Sequence, residues 1–268
     1  MDELRRSALD VLLMDDVAEQ AAAAQALQSR AAALVIDAEA VIAEPPGVPG
    51  RPLRPRLVSP HAVPQRSPHT AHGRAVLLHA VAHIEANAIR LALDAAWRFA
   101  GLPADYYRDW LHVAAEEAHH FTLLAAHLAT LGHDYGDFDA HNGLWDMVEK
   151  TKDDATARMA LVPRTLEARG LDATPPMQAK FAQAGDAPAV AILGVILRDE
   201  IGHVAIGNHW YRWLCERDGH DPIEHFEHLL AAHDAPRPKP PFNLEARRRA
   251  GFDDEELDRL VRTAPRQA

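Results

Sequence analysis

Two short stretches carry residue types suited to metal binding: Glu116-Glu117-Ala118-His119-His120 and Asp199-Glu200-Ile201-Gly202-His203. Each contains Glu-x-x-His. On a helix, residues three apart share a face, so one carboxylate and one imidazole face the same ion. Two such turns on two helices grip two ions when two further helices each add a glutamate. Glu85 and Glu167 stand where those glutamates are needed: Glu117 follows Glu85 by 32 residues, and Glu200 follows Glu167 by 33. The doubled spacing predicts a dinuclear metal site held by Glu85, Glu117, His120, Glu167, Glu200 and His203. Bridging carboxylates hold neighbouring cations together, and imidazole favours iron over calcium or magnesium. Four carboxylates and neutral histidines balance two divalent ions, so the site can be buried without stranded charge.

The first stretch has two registers. Glu116 with His119 is also Glu-x-x-His, turned about 100° around the helix. Apolar company favours Glu117 with His120, which share a stripe with Val113, Phe121 and Leu124. Leu193, Ile196, Leu197, Val204 and Gly207 flank Glu200 and His203 in the same way. A single Glu-x-x-His on a helix rich in both residues is ordinarily a solvated face; the paired spacing lifts this one above that reading. His79, His83, His112 and His127 are expected at the surface or behind the ligands. Asp94, Arg198 and Asp199 are candidates to orient ligands.

These residues need four helices. Ala75, Leu78, Ala82, Ile89, Ala92 and Ala96 recur at steps of three and four and predict a helix over about 73–100. Gly101 caps it and Pro103 opens the next, over about 104–131, which stops at Gly132. The short turn makes the two antiparallel. Glu85 lies 16 residues before Gly101 and Glu117 lies 14 after Pro103, so both stand at nearly one height. Residues 132–152 are polar, with a short helix near 144–150. At about 20 residues this connection can span a helix of about 42 Å and return the chain along the bundle. A third helix is expected over about 153–169, loosened by Pro163 and broken at Gly170 and Thr174-Pro175-Pro176, with a second piece over 176–184. A fourth runs over about 187–217 to Gly219.

The outlying segments read differently. Residues 1–43 are alanine-rich and predict one or two helices packed outside the bundle. Residues 44–72 form a proline-rich arm with Pro45, Pro46, Pro49, Pro52, Pro55, Pro60, Pro64 and Pro68, and with Arg51, Arg54, Arg56, Arg66 and nearby Arg74. Its plain reading is an extended strap across acidic helices; the other is an anion or RNA contact. The bundle fills 73–219. A tail over 220–268 is expected to hold helices near 221–233, 243–250 and 253–262, the last opened by Asp253, with a proline-rich linker at 236–241.

The bulk properties set limits. The 268 residues carry a formal net charge of -11, which argues against wholesale nucleic-acid binding. The single cysteine, Cys215, excludes an intrachain disulfide and fits a reducing compartment. No signal peptide and no run of about 20 apolar residues is expected. The location expected is cytoplasmic, without a membrane.

Together these stretches resemble the ferritin-like superfamily, and more closely an uncharacterised bacterial ferritin-like family of unknown function. The resemblance rests on His79-Ala80-Val81-Ala82-His83-Ile84-Glu85, Glu117-Ala118-His119-His120-Phe121, Glu167-Ala168-Arg169-Gly170-Leu171-Asp172, Asp199-Glu200-Ile201-Gly202-His203 and Pro241-Phe242-Asn243-Leu244-Glu245-Ala246-Arg247, and covers about residues 50–250. It implies an all-α, ferritin-like four-helix bundle with one long crossover. It also implies a carboxylate-bridged centre of two metal ions, iron or with manganese in one or both places. The expected function is a di-iron oxidoreductase that activates dioxygen and oxidises an organic substrate, served by an electron-donating reductase. The alternatives are a ferroxidase, peroxide-removing or metal-storage protein, a helical interaction protein with structural metal, and a tRNA-modifying hydroxylase. The arm and tail would crowd a storage cage, so storage ranks lower, and a homodimer is one assembly the reading allows.

Overall fold

Helix formation around the first glutamate is set by local signals. Thr70 caps the start of a long helix by accepting the Gly73 N–H at 3.0 Å, and the helix runs Ala71–Arg98. The chain then turns at Gly101, whose φ of +75° suits a residue without Cβ, and Pro103 leads into a second helix, Ala104–Thr130. In the computed structural model, which describes residues 3–62 and 67–264, these are the third and fourth helices, α3 and α4. The first two are α1, Leu4–Leu12, and α2, Val17–Ser29. Met1, Asp2, Pro64 and Arg66 lie outside the described residues.

The described residues are all-α: they form helices and two isolated bridges, Glu3 with Val35 and Leu57 with Ala140, but no strand. They divide into two units. Unit 1 comprises Met1–Trp145 and Gln183–Ile192; unit 2 comprises Asp146–Ala182 and Leu193–Ala268.

In unit 1, α3 and α4 pack along their lengths, with α1 against α3 and α2 against α4. Buried polar groups fasten these layers. The Arg5 guanidinium donates to the carbonyls of Asp37, Ala38, Ala40 and Trp97. Gln20 accepts from Arg90 Nε at 3.1 Å and donates to the carbonyls of Val11 and Leu12. The expectation of helix throughout 1–43 needs correction. Helix ends at Ser29, followed by a short 3-10 turn at Ala31–Ala33. Beyond this turn the carbonyls of Asp37, Ala38 and Ala40 accept from Arg5.

The arm is a strap within unit 1. Gly50 donates its N–H to the Leu12 carbonyl, and a Cβ there would lie 2.4 Å from the Leu13 oxygen. Further on, Val58 donates its N–H to the Ala140 carbonyl at 2.8 Å, and Arg56 pairs with Asp139 at 2.5 Å. Arg74 faces Asp186 at 3.4 Å. Arg56 and Arg74 therefore meet carboxylates of this same chain. The most apolar stretch of α3 has the length and composition of a membrane span, but 83% of it is buried by protein, which is the mark of a core helix.

The short helix α5 spans Gly143–Lys150. In unit 2 the third predicted helix is continuous over 155–183: α6, Ala155–Leu161, a π segment, Val162–Glu167, and α7, Ala168–Gln183. The expected breaks at Gly170 and Thr174-Pro175-Pro176 are corrected by the structure. Pro175 offers no N–H to the Leu171 carbonyl, and Asn243 Nδ2 donates to it at 3.3 Å instead. Arg247 donates to the Ala168 carbonyl and holds the Asp172 carboxylate at 2.7 Å. At Leu171 the tail thus supplies the donor that Pro175 removes. Pro163 has its effect in the π segment, where Thr165 Oγ1 donates to the Ala160 carbonyl.

The fourth long helix, α8, covers Ala187–Asp218. Within unit 2 it crosses the π segment so closely that a Cβ on Gly207 would fall 2.4 Å from Pro163 Cβ. The tail adds α9, Pro222–Ala232, α10, Leu244–Arg249, and α11, Asp254–Thr263, the last opened by a capping box between Asp253 and Glu256. Ala168, Leu171, Val204, Ala246, Ala250, Phe252 and Leu257 form the apolar core that joins α7 and α8 to the tail.

Candidate metal centre

Glu85 lies on α3, and Glu117 and His120 lie on α4, within unit 1. All three are buried, Glu117 and His120 completely. His120 Nδ1 sits 3.1 Å from Glu85 Oε2 and 3.3 Å from Glu117 Oε2. One donor atom from each residue lies within 4.8 Å of the others, the spread of a ligand set for one ion. Glu116, by contrast, is half-buried and His119 is exposed.

Electrostatics make this cluster costly without a cation. Burial pushes the Glu85 carboxyl well above the usual carboxylate range, and the neighbouring Glu117 charge pushes it further. For His120, burial alone favours the neutral ring, but hydrogen bonds and charge from Glu117 and Glu85 outweigh it and raise the imidazole. A proton on Nδ1 therefore holds the two carboxylates together where an ion would otherwise do so. The donor set, two carboxylate oxygens and one imidazole nitrogen in a dry setting, fits a first-row transition metal.

In unit 2, Glu167 ends the π segment, and Glu200 and His203 lie on α8. Each is buried. Gly170, one turn beyond Glu167, leaves room beside α7: a Cβ there would lie 3.9 Å from the Glu200 carboxylate carbon. Glu200 therefore reaches α7 one turn from Glu167. A π turn carries an extra residue and re-aims the side chains around it, and here it does so at Pro163–Glu167.

The remaining candidates take other roles. His79 Nε2 accepts the Gly136 N–H at 3.0 Å. His83 Nδ1 lies 2.9 Å from Tyr135 Oη, and its Nε2 lies 3.0 Å from the His141 carbonyl. Both rings stack on Tyr135, whose edge meets Phe121 beside His120. Burial lowers both imidazoles to about 4, so they are neutral at pH 7. These two histidines clamp the 132–142 loop over the α3–α4 pair. His112 faces Glu116 at 3.6 Å, and His127 bonds Asp186. Asp94 holds the Arg98 guanidinium, and Arg198 pairs with its neighbour Asp199. Tyr135 was not picked out from the sequence; its only local signal is an aromatic residue beside Gly136, whose φ is +106°.

Comparison with known proteins adds relatives without assigned chemistry. Residues 13–258 match the family described as protein of unknown function (DUF455). The chain is also 54% identical over 214 residues to an uncharacterized protein of Haemophilus influenzae, covering 77% of this chain and 74% of that protein. No solved structure matches.

Proposed function

The chain belongs to the DUF455 family of proteins of unknown function, and from that footing we propose that it is a ferritin-like dinuclear metal protein, a di-iron oxidoreductase acting with dioxygen on a small organic substrate. The observation that carries this reading is the buried Glu85–Glu117–His120 cluster, in which one imidazole nitrogen faces two carboxylates. The second half, Glu167, Glu200 and His203, repeats the same residue types at the same sequence spacing, and its three residues are also buried. We assign all six as ligands.

Iron at such a centre supplies the electrons for dioxygen chemistry that side chains lack. The chain's own contribution is to hold and shield. His120 gives up its Nδ1 proton on loading, and Glu85 ionises. The α1–α2 layer and the His79–His83 clamp keep water from the α3–α4 pair. Ala88, Ile89, Val113 and Phe121 are buried one turn from the ligands and give an organic substrate an apolar approach.

The test is metal analysis of protein grown with added iron, followed by dioxygen uptake on adding ferrous ion. About two ions per chain are expected for a site of this kind. Glu117→Ala and His203→Ala should each lose metal while far-ultraviolet circular dichroism stays unchanged. Full metal content in both variants would refute the ligand set. Metal bound without dioxygen uptake would leave a structural or storage role instead.

A further inference from the structure

A second site lies in unit 2. A cleft opens between α9, α10 and α11 over the π segment. Its walls are mostly apolar, with Phe226, Leu230, Phe252 and Leu260 among them. A few polar groups among apolar walls set what such a cleft takes. Here those groups are arginines. Arg164 reaches the cleft from the π segment, with its side chain almost fully buried. Its guanidinium lies 4.8 to 4.9 Å from the ring centres of Tyr211, Phe226 and Phe252.

The charges do not balance. Arg164 pairs with Glu256, but Arg212 takes the same carboxylate at 2.6 Å. Arg212 also meets Asp253 at 4.0 Å, so Glu256 and Asp253 together answer Arg164 and Arg212. Arg164 Nε is buried without a hydrogen-bond partner among the described residues. Arg247 is neutralised by Asp172, and Arg237 by Glu227. Arg259, on the α11 wall, pairs with no carboxylate among the described residues. A buried donor left open costs free energy, and an apolar cleft with surplus positive charge favours an anion with an apolar body.

We propose that this cleft binds an organic carboxylate with an unbranched apolar chain, its head between Arg164 and Arg259 and its chain along Phe226, Leu230 and Leu260. The site uses none of the six proposed metal ligands and stands apart from that reading.

Octanoate is the probe, with octanol and octylamine as controls that change only the head group and acetate as one that removes the chain. Calorimetric titration of the full-length protein should show octanoate bound at least about tenfold more tightly than octanol, with acetate and octylamine not bound. Arg259→Glu changes a partly exposed helix position and should leave the fold intact. It should abolish octanoate binding and admit octylamine, a reversal that loss of packing alone would not produce. Leu230→Trp, which fills the cleft, should block octanoate in either background. Octanoate bound no better than octanol, or bound equally by Arg259→Glu, overturns the proposal, as does a lack of saturable octanoate binding.

Discussion

His120 on α4 and Glu85 on α3 meet at 3.1 Å between Nδ1 and Oε2, with both side chains buried. They are 35 residues apart in the chain and belong to different helices. The contact makes the cluster a proton trap when no metal is present. Both groups have folded-state values raised above their ordinary ones, Glu85 by burial first and His120 through Glu117 and Glu85 against burial.

The sign of the pH dependence follows. A group raised on folding stabilises below its unfolded value, and that contribution is lost as pH rises toward the folded value. For Glu85 the loss begins above about pH 4.5, and for His120 above about pH 6.5. The metal-free protein should therefore lose melting temperature from neutral to alkaline pH. Ferrous or manganous ion should bind more tightly over the same range, with protons released. Titration calorimetry in two buffers of different ionisation enthalpy measures that release; identical heats would contradict it.

Glu85→Gln separates metal binding from stability. The variant removes a carboxyl whose ionised form is disfavoured by burial and by Glu117, and it keeps the shape and a hydrogen-bonding group. In metal-free protein at pH 8 it should melt no lower than the parent. Its metal content should nevertheless fall, because a neutral amide would be a poor replacement for the carboxylate that would hold a cation there. A large drop in melting temperature would assign Glu85 a structural role instead.

The clamp on the 132–142 loop should open in acid. His79 and His83 are lowered, by burial first, from an ordinary 6.5 to about 4. Their contribution is complete above pH 6.5 and is lost as pH falls toward 4. His79 cannot accept the Gly136 N–H once Nε2 is protonated. Histidine ring resonances followed by nuclear magnetic resonance should show both groups still neutral at pH 5.5, and a midpoint near 6.5 for either would remove the clamp.

Gly207→Ala tests the crossing of α8 with the π segment. The new methyl would lie 2.4 Å from Pro163 Cβ, so one helix must shift. Overpacking of this kind costs about 1–3 kcal/mol, and a lower urea midpoint at unchanged slope is expected. Asn243→Ala tests the lashing of the tail to α7: it loses the bond to the Leu171 carbonyl and the cap on Ala246, together worth about 1–2 kcal/mol.

What could be read in advance was what local signals encode. The α3 and α4 helices end within two residues of where Gly101, Pro103 and Gly132 place them, and the matched heights of Glu85 and Glu117 agree with both reaching one nitrogen of His120. The third long helix was misread at its prolines because its stabilising partners, Asn243 and Arg247, lie more than 70 residues further on. The non-helical course of residues 37–40 is likewise tied to Arg5, more than 30 residues away. Periodicity gave no hint of the π segment, and Tyr135 was hidden in a stretch that reads as a polar linker.

The π segment makes residue number itself a constraint. Deleting one residue from 164–166 would leave every candidate ligand in the chain, and the segment could close into ordinary α-helix. Glu167 and all that follows would then turn by about 100° relative to Met159 and Ala160, and Gly207 would no longer face Pro163. A one-residue deletion there should disable the protein more severely than most substitutions, whereas a deletion in the arm would be absorbed as slack.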